Sequence, residues 1–269
     1  VLGLEETRQN YQAIADRQWQ VVKEEYFTAT GRCAVKTQTG LVLALKYHLS
    51  DNERLTEQML RKLLRDNKNK LNTGFVGTPL LCNVLTEHGM TDLAYRLLLN
   101  EEYPGWLHEV KLGATTVWER WNSLDENGRI SSTGMNSLNH YSYGAVLEWI
   151  FRHVAGIDVT EQGPGGKMMR ISPKVDHKLG SASAVYDSAS GCYRCGWQIE
   201  NGDQITVTVT VPFGAKAQVI LPYAPDSVYH DTDNPLFETV ENGICCVKAG
   251  QYTVTYKAAS PLKKSYSVD

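Results

Sequence analysis

The stretch GATTVWERWNSLDENG, residues 113–128, sets one carboxylate, Glu119, among the indoles of Trp118 and Trp121. A carboxylate between large flat rings suits a pocket that holds a sugar, whose C–H faces stack on aromatic planes while its hydroxyls take polar partners. As a general base, such an acid must be ionised and within reach of a water, and the indole faces would keep bulk solvent away. The plainer alternative is a helix start, with Glu119 solvated or stabilised by the helix dipole and a tryptophan in the core. Downstream, His140 stands between Asn139 and Tyr141 at an expected helix start, where the plain reading is a capping or core histidine. Trp106, in YPGWLHE, is the better stacking platform, because Trp121 is as easily packed between helices. Lys111 and Arg120 are the nearby cations able to neutralise Glu119, although Arg120, as its chain neighbour, need not face it.

Two kinds of element must position these residues. Up to Gly156 the apolar residues recur at helical spacing, as in Tyr11, Ile14, Ala15, Val22 and Tyr26, and again in Leu55, Met59, Leu60, Leu63 and Leu64. These are expected to be amphipathic helices packed on one side. GLVLAL, residues 40–45, is apolar nearly all round and suits a helix buried between neighbours. Ser50-Asp51-Asn52-Glu53 matches a capping box, Thr78-Pro79 reads as a cap followed by proline, and Gly89 and Gly156 suit helix ends. Six or seven helices are expected before residue 156, the last over about 141–154.

Beyond Gly156 the period becomes two. ITVTVTV, residues 205–211, and QYTVTY, residues 251–256, alternate strictly, and Asn201-Gly202 is a hairpin signal. This pattern predicts an antiparallel β-sandwich, reached through a linker at TEQGPGGK, residues 160–167. The expected class is therefore α+β with two domains, residues 1–157 helical and 158–269 a C-terminal sandwich.

Composition excludes several functions. The chain has 269 residues, is 42% hydrophobic and carries a formal net charge of -3 with both signs mixed, so neither a nucleic acid nor a membrane surface is an expected partner. Its apolar runs are too short to span a bilayer, and VLGLEETRQNYQ at the N-terminus has no signal-peptide layout. The compartment is therefore not legible. Cys192, Cys195, Cys245 and Cys246 allow a four-sulfur zinc site by count, but strand alternation sends their side chains apart, so free thiols, no metal and no cofactor are expected.

Three linked blocks, TQTGLVLALK, the segment ending in GATTVWERW, and NHYSYGAV, closely resemble the bacterial α-L-rhamnosidases of glycoside hydrolase family 78, over roughly residues 36–157. The C-terminal region resembles that family's sandwich in position, with a less distinctive sequence. The resemblance implies an (α/α)6 barrel with its site among loops at one end, and inverting hydrolysis of terminal α-L-rhamnose from a glycoside. Inversion needs two carboxyl groups about 6.5–9.5 Å apart, with room for a water beside the base. On this resemblance Glu119 is the general base and His140 a sugar contact, with Asn139, Trp106 and Trp118 around them. The chain departs from the family in holding about half of such a ring, without the acidic loop that supplies the general acid. Asp92, Asp125 and Glu126 lack the surrounding motif. A missing N-terminal half or a second copy of the chain is then the expected cover for the open ring, and a non-catalytic sugar-binding or structural module is the alternative for the chain alone.

Overall fold

The structure, a computed structural model, describes residues 3–131, 134–161, 163–229, 240–241 and 244–262. It divides into two compact units, Val1–Met90 with Leu97–Gly144, and Thr91–Arg96 with Ala145–Asp269.

The first unit is helical, with α1 (Glu5–Tyr26), α2 (Gln38–Lys46), α3 (Glu53–Asp66) and α4 (Thr78–Glu87). It also holds the end of α5 (Thr91–Leu98), then α6 (Trp106–Lys111) and α7 (Tyr141–Gly144). In α3, Thr56, Leu60 and Leu64 recur every fourth residue and form the buried stripe. Helix α2 buries Leu41, Val42, Ala44 and Leu45, as its all-round apolar sequence requires, and α4 does the same with Leu81, Cys82, Val84 and Leu85. The start of α3 differs from the expected capping box. Asn52 is the cap, accepting the Leu55 N–H at 3.1 Å, and Ser50 instead donates to the Gly31 carbonyl at 2.9 Å. Helix α4 likewise begins at Thr78 with Gly77 as its cap residue, one position before expectation.

Helix α1 departs most from its sequence reading. None of its residues is buried, and Tyr11, Ile14, Val21 and Tyr26 are exposed. Among the described residues the helix is held through Trp19, whose indole N–H donates to the His48 carbonyl at 3.1 Å, and through the Lys23–Asp51 pair.

The second unit takes the first six residues of α5, then α8 (Val146–Trp149) and a π turn at Ile150–Val154. The single helix expected over 141–154 is thus realised as α7, α8 and this wider turn. Strands β1 (Ile157–Val159), β2 (Met168–Ile171), β3 (Ser181–Ser188), β4 (Gly191–Glu200), β5 (Gln204–Val211) and β6 (Lys216–Val219) follow. After α9 (Asp226–Tyr229) come β7 (Val240–Glu241), β8 (Ile244–Val247) and β9 (Gly250–Lys257). One sheet has the order β1-β2-β6-β8-β7 and the other β3-β4-β5-β9. All pairs are antiparallel except β2 with β6, which run parallel.

Alternation fills the space between the sheets. Ile205, Val207, Val209 and Val211 are buried on one, and Met169, Ile171, Ala217 and Val219 on the other. The Tyr193 hydroxyl lies 2.7 Å from the Gly166 carbonyl and 3.1 Å from that of Lys216 in the facing sheet. The described residues of the expected linker, 160–161 and 163–167, lie within the β1–β2 hairpin, with a 3-10 turn at Pro164–Gly166 and the Thr160 hydroxyl donating to the Met168 carbonyl at 2.8 Å. The glycines and proline there serve tight geometry. The hairpin at Asn201-Gly202 forms with a three-residue loop, Glu200 pairing with Gln204.

The cysteines are free. Cys195 and Cys245 are buried in different sheets, where burial pushes each thiol up to about 12, and among the described residues no group of His, Cys, Asp or Glu is arranged to hold a metal ion. No described helix is long and apolar enough to cross a membrane.

Candidate active site

The segment carrying Glu119 is a loop between α6 and α7, not the helix start that the sequence also allowed. Its backbone is nonetheless fixed at two successive amides. The Glu119 N–H donates to the Ser137 carbonyl at 2.9 Å, and the Arg120 N–H to Ser123 Oγ at 3.1 Å. The opposing run is locked in turn, since the His140 N–H donates to the Val117 carbonyl at 2.8 Å. Residues 117–119 and 137–140 therefore lie side by side, and the two sequence blocks meet as expected. Ser123, fully buried, also bonds Asn136 through its hydroxyl at 2.6 Å and its carbonyl at 2.9 Å.

His140 is gripped by rings. Its imidazole stacks on Phe75 with centroids 4.8 Å apart and 12° between planes, and on Tyr141 at 5.3 Å and 13°. Its Nδ1 accepts the Ser142 N–H at 3.2 Å, so the neutral ring carries its proton on Nε2 and offers a donor there. The capping role and an outward donor thus coexist. Phe75 reaches this place because α2 staples its loop, Gln38 donating to the Lys70 carbonyl at 2.9 Å and accepting the Asn72 N–H at 2.8 Å. Asn139 is exposed, and Glu119 is half-buried.

The tryptophans are placed otherwise than expected. Trp106 and Trp118 are 9% and 2% exposed, and the Trp106 indole N–H is used internally on the Tyr143 carbonyl at 3.0 Å. They form the wall behind the loop, and the open aromatic faces are Phe75 and Tyr141. Trp121 is also packed, stacking on Tyr143 at 4.0 Å and meeting Trp106 edge-on at 5.3 Å, contacts that contribute about 0.5–1.5 kcal/mol each beyond area burial. One edge of Trp121 lines a pocket of about 490 Å³ with Thr73, Gly74, Tyr103, Pro104 and Lys70.

Electrostatics converge on Tyr143. Burial raises its phenol, Glu109, Tyr103 and Glu119 raise it further, and Arg120 opposes them. Lys111, a sequence candidate for neutralising Glu119, is instead paired with Glu101 at 2.5 Å. Asp125 caps its own hairpin turn, accepting the Asn127 and Arg129 amides at 2.9 and 2.8 Å, and Glu126 is exposed in that turn. Asp92 belongs to the other unit.

The carboxyl that sequence reading missed is Glu109. It is 3% exposed, burial pushes it up to about 7 against the opposing pull of the Trp118 N–H, and its Oε1 has no hydrogen-bond partner. Its signal was present in the sequence, a glutamate three residues after Trp106 and so on the same face of α6.

Comparison with known proteins gives this geometry a family. Residues 1–154 match the bacterial alpha-L-rhamnosidase 6 hairpin glycosidase domain, and residues 156–234 match the bacterial alpha-L-rhamnosidase C-terminal domain. An alpha-L-rhamnosidase of Formosa agariphila is 36% identical over 245 residues, covering 90% of this chain and 26% of that protein. One from Alteromonas sp. is 39% identical over 221 residues, covering 81% and 23%. The crystal structure of the Streptomyces avermitilis alpha-L-rhamnosidase complexed with L-rhamnose superposes with a TM-score of 0.83 at 32% identity, over 93% of this chain and 24% of that one. The chain spans about a quarter of the length of these relatives. A family model that takes in the whole helical region, Glu119 and His140 included, places this chain in the bacterial alpha-L-rhamnosidase 6 hairpin glycosidase family.

Proposed function

We propose that this chain supplies the base-bearing part of a glycoside hydrolase that releases terminal α-L-rhamnose by a single displacement with inversion. Glu119 is the general base. It takes a proton from a water as that water attacks the anomeric carbon, while the bond to the leaving oxygen breaks. His140 donates to a sugar hydroxyl through Nε2, Asn139 adds an exposed amide, and Phe75 and Tyr141 carry the apolar face of the ring. Trp106 and Trp118 contribute from behind, by excluding water from the loop. The observation that carries this reading is the fixing of the Glu119 and Arg120 amides by Ser137 and Ser123, with His140 bonded to Val117 beside them, which supports a half-exposed carboxylate held in place ahead of the reaction. The proton for the leaving group comes from an acid outside these residues.

The test is turnover of an aryl α-L-rhamnoside by the longest polypeptide that carries this sequence, beside its Glu119→Gln variant. Loss of about 100-fold or more in kcat, with β-rhamnose as the first product seen by NMR, is expected. Unchanged kcat in the variant would remove Glu119 from the mechanism, and α-rhamnose as first product would remove inversion.

The exposed side of α1 favours a second reading for the 269 residues alone, that of a non-catalytic sugar-binding or structural module. L-rhamnose binding without turnover by the isolated chain separates it from the first.

A further inference from the structure

Ser123 is fully buried in a loop, and each of its polar atoms is engaged within that loop. Its N–H donates to the Arg120 carbonyl at 3.0 Å and its Oγ accepts the Arg120 N–H at 3.1 Å, which closes the turn directly after Glu119. Having accepted there, the hydroxyl gives its proton to Asn136 Oδ1 at 2.6 Å. Asn136 Nδ2 returns a bond to the Ser123 carbonyl at 2.9 Å, and that carbonyl also takes the Ser131 N–H at 3.0 Å. The directions are forced, because a backbone carbonyl can only accept, so the amide nitrogen faces it and the amide oxygen faces the hydroxyl.

Rungs thus join residues 117–123 to residues 136–140. Those of Val117 with His140 and of Glu119 with Ser137 are backbone bonds that most sequences could make. A side-chain tie from the Thr116 hydroxyl to the Leu138 carbonyl lies on the N-terminal side of Glu119. On its C-terminal side the side-chain tie is Ser123 with Asn136, which needs these two residue types. It sits at a neck. Beyond Ser123 the chain enters a hairpin with its own Leu124–Ile130 bridge and Asp125 turn, and residues 125–130 are all exposed. Surface hairpins of this kind move more than the elements they join, so the bond across the neck separates that motion from Glu119. Apolar packing does not account for Ser123, because a fully buried hydroxyl is stabilising there only through the partners it holds.

We propose that Ser123 and Asn136 are positioning residues for the reaction, their reciprocal hydrogen bonds clasping the turn after Glu119 to the run that carries His140 and so setting where the carboxylate stands. This rests on Glu119 being the base. The pair acts through Glu119 and takes no part in proton transfer.

The tests use the longest polypeptide that carries the sequence. Ser123→Ala removes the hydroxyl from both of its bonds, and Asn136→Ala removes the amide. Each is expected to lower kcat on an aryl α-L-rhamnoside about 10- to 100-fold with KM changed less than about threefold, as for a reacting group displaced by up to about 1 Å. Because the two residues make one clasp, the double variant should lose less than about threefold beyond the worse single one. Added to Glu119→Gln, Ser123→Ala should change the residual turnover less than about threefold, since the group it positions is already gone; general damage to the fold would lower it by the full factor again. Hydrogen exchange of the peptide spanning residues 117–123, followed by mass spectrometry, should quicken at least about tenfold in both single variants. Should Ser123→Ala fail to fold, Asn136→Ala carries the same comparisons. Parental kcat in a folded single variant overturns the proposal, as does the full further loss in the Glu119→Gln background. Unchanged kcat in Glu119→Gln alone defeats the base assignment instead, and exchange over residues 117–123 still reports whether the clasp holds the loop, parental exchange overturning that as well.

Discussion

The rings of Phe75 and His140 lie nearly parallel, 4.8 Å apart, although 65 residues separate them in the chain. Phe75 comes from the loop that Gln38 staples, and His140 from the run paired with Val117, so this contact joins two independently anchored segments. Phe75 is 46% exposed, and its ring both orients the imidazole and extends the open apolar face.

Phe75→Ala should therefore weaken binding more than chemistry. Removing one aromatic contact of about 0.5–1.5 kcal/mol corresponds to a rise in KM of roughly 2- to 12-fold, with kcat held within about threefold. Steady-state kinetics on an aryl rhamnoside, with Phe75→Tyr restoring the parental KM, check this. A fall confined to kcat would mean that the ring supports the base rather than the sugar.

The Glu109 carboxyl makes stability depend on pH with a defined sign. Its folded value is pushed up from 4.5 to about 7, so between those limits the folded chain keeps a proton that the unfolded chain has lost. More protons bound in the folded state means that stability falls as pH rises through this window and is level above it. The expected difference is roughly 2 kcal/mol between pH 4.5 and 7.5, allowing for solvent screening. Urea unfolding of the parent and of Glu109→Gln at each pH isolates this contribution. Parallel curves for the two proteins would show that Glu109 has no such coupling.

Gly156 and Gly202 both have positive φ, +83° and +84°, yet they should respond differently to alanine. A Cβ at Gly156 would lie 2.2 Å from the Pro173 nitrogen, a backbone atom that has no room to give, whereas at Gly202 nothing lies within 4 Å. Gly202→Ala then costs only the left-handed backbone, about 1 kcal/mol. Gly156→Ala adds the clash and should cost more than about 3 kcal/mol or prevent folding. Thermal melts of both variants test the ordering, and equal losses would contradict it.

The parts of this molecule legible in the sequence are those set by local pattern. The stripe of α3, the buried α2, the alternating strands and the turn at Asn201-Gly202 follow from spacing alone. Glu119 and His140 are singled out by their sequence blocks, and the backbone pairing that sets residues 117–119 beside 137–140 has no periodicity to betray it. The tryptophans misled for a related reason. An indole beside a carboxylate has the same sequence signature whether it faces solvent or the core; Trp106 and Trp118 are both buried, the Trp106 indole bonding the Tyr143 carbonyl. TEQGPGGK read as a linker because glycine and proline serve tight turns and flexible tethers alike, and the pairing of Ile157 with Ile171 decides for the turn.

Helix α1 supplies the last test. Leu4, just before it, is 59% exposed, and Tyr11, Ile14 and Val21 are 71%, 47% and 54% exposed. At helical spacing these four residues fall within roughly one third of the circumference, so they form one apolar side, interrupted by Thr7 and Gln18, rather than scattered exposures. The opposite flank is anchored only near its C-terminal end, through Trp19 and Lys23. A stripe of this kind on a helix without buried residues draws in another apolar surface, and in a solution of the 269-residue chain alone the surface available is the same stripe on a second copy. Sedimentation at micromolar concentration is therefore expected to show self-association that grows with concentration. The triple change Tyr11→Ser, Ile14→Ser, Val21→Ser should abolish it, shifting the profile to monomer while leaving circular dichroism of the β-region unchanged. Because no buried contact is removed, the cost to stability should stay within about 1 kcal/mol. A parent chain that remains monomeric at every concentration, with α1 amides as slow to exchange as those of α4, would mean that the stripe needs no partner.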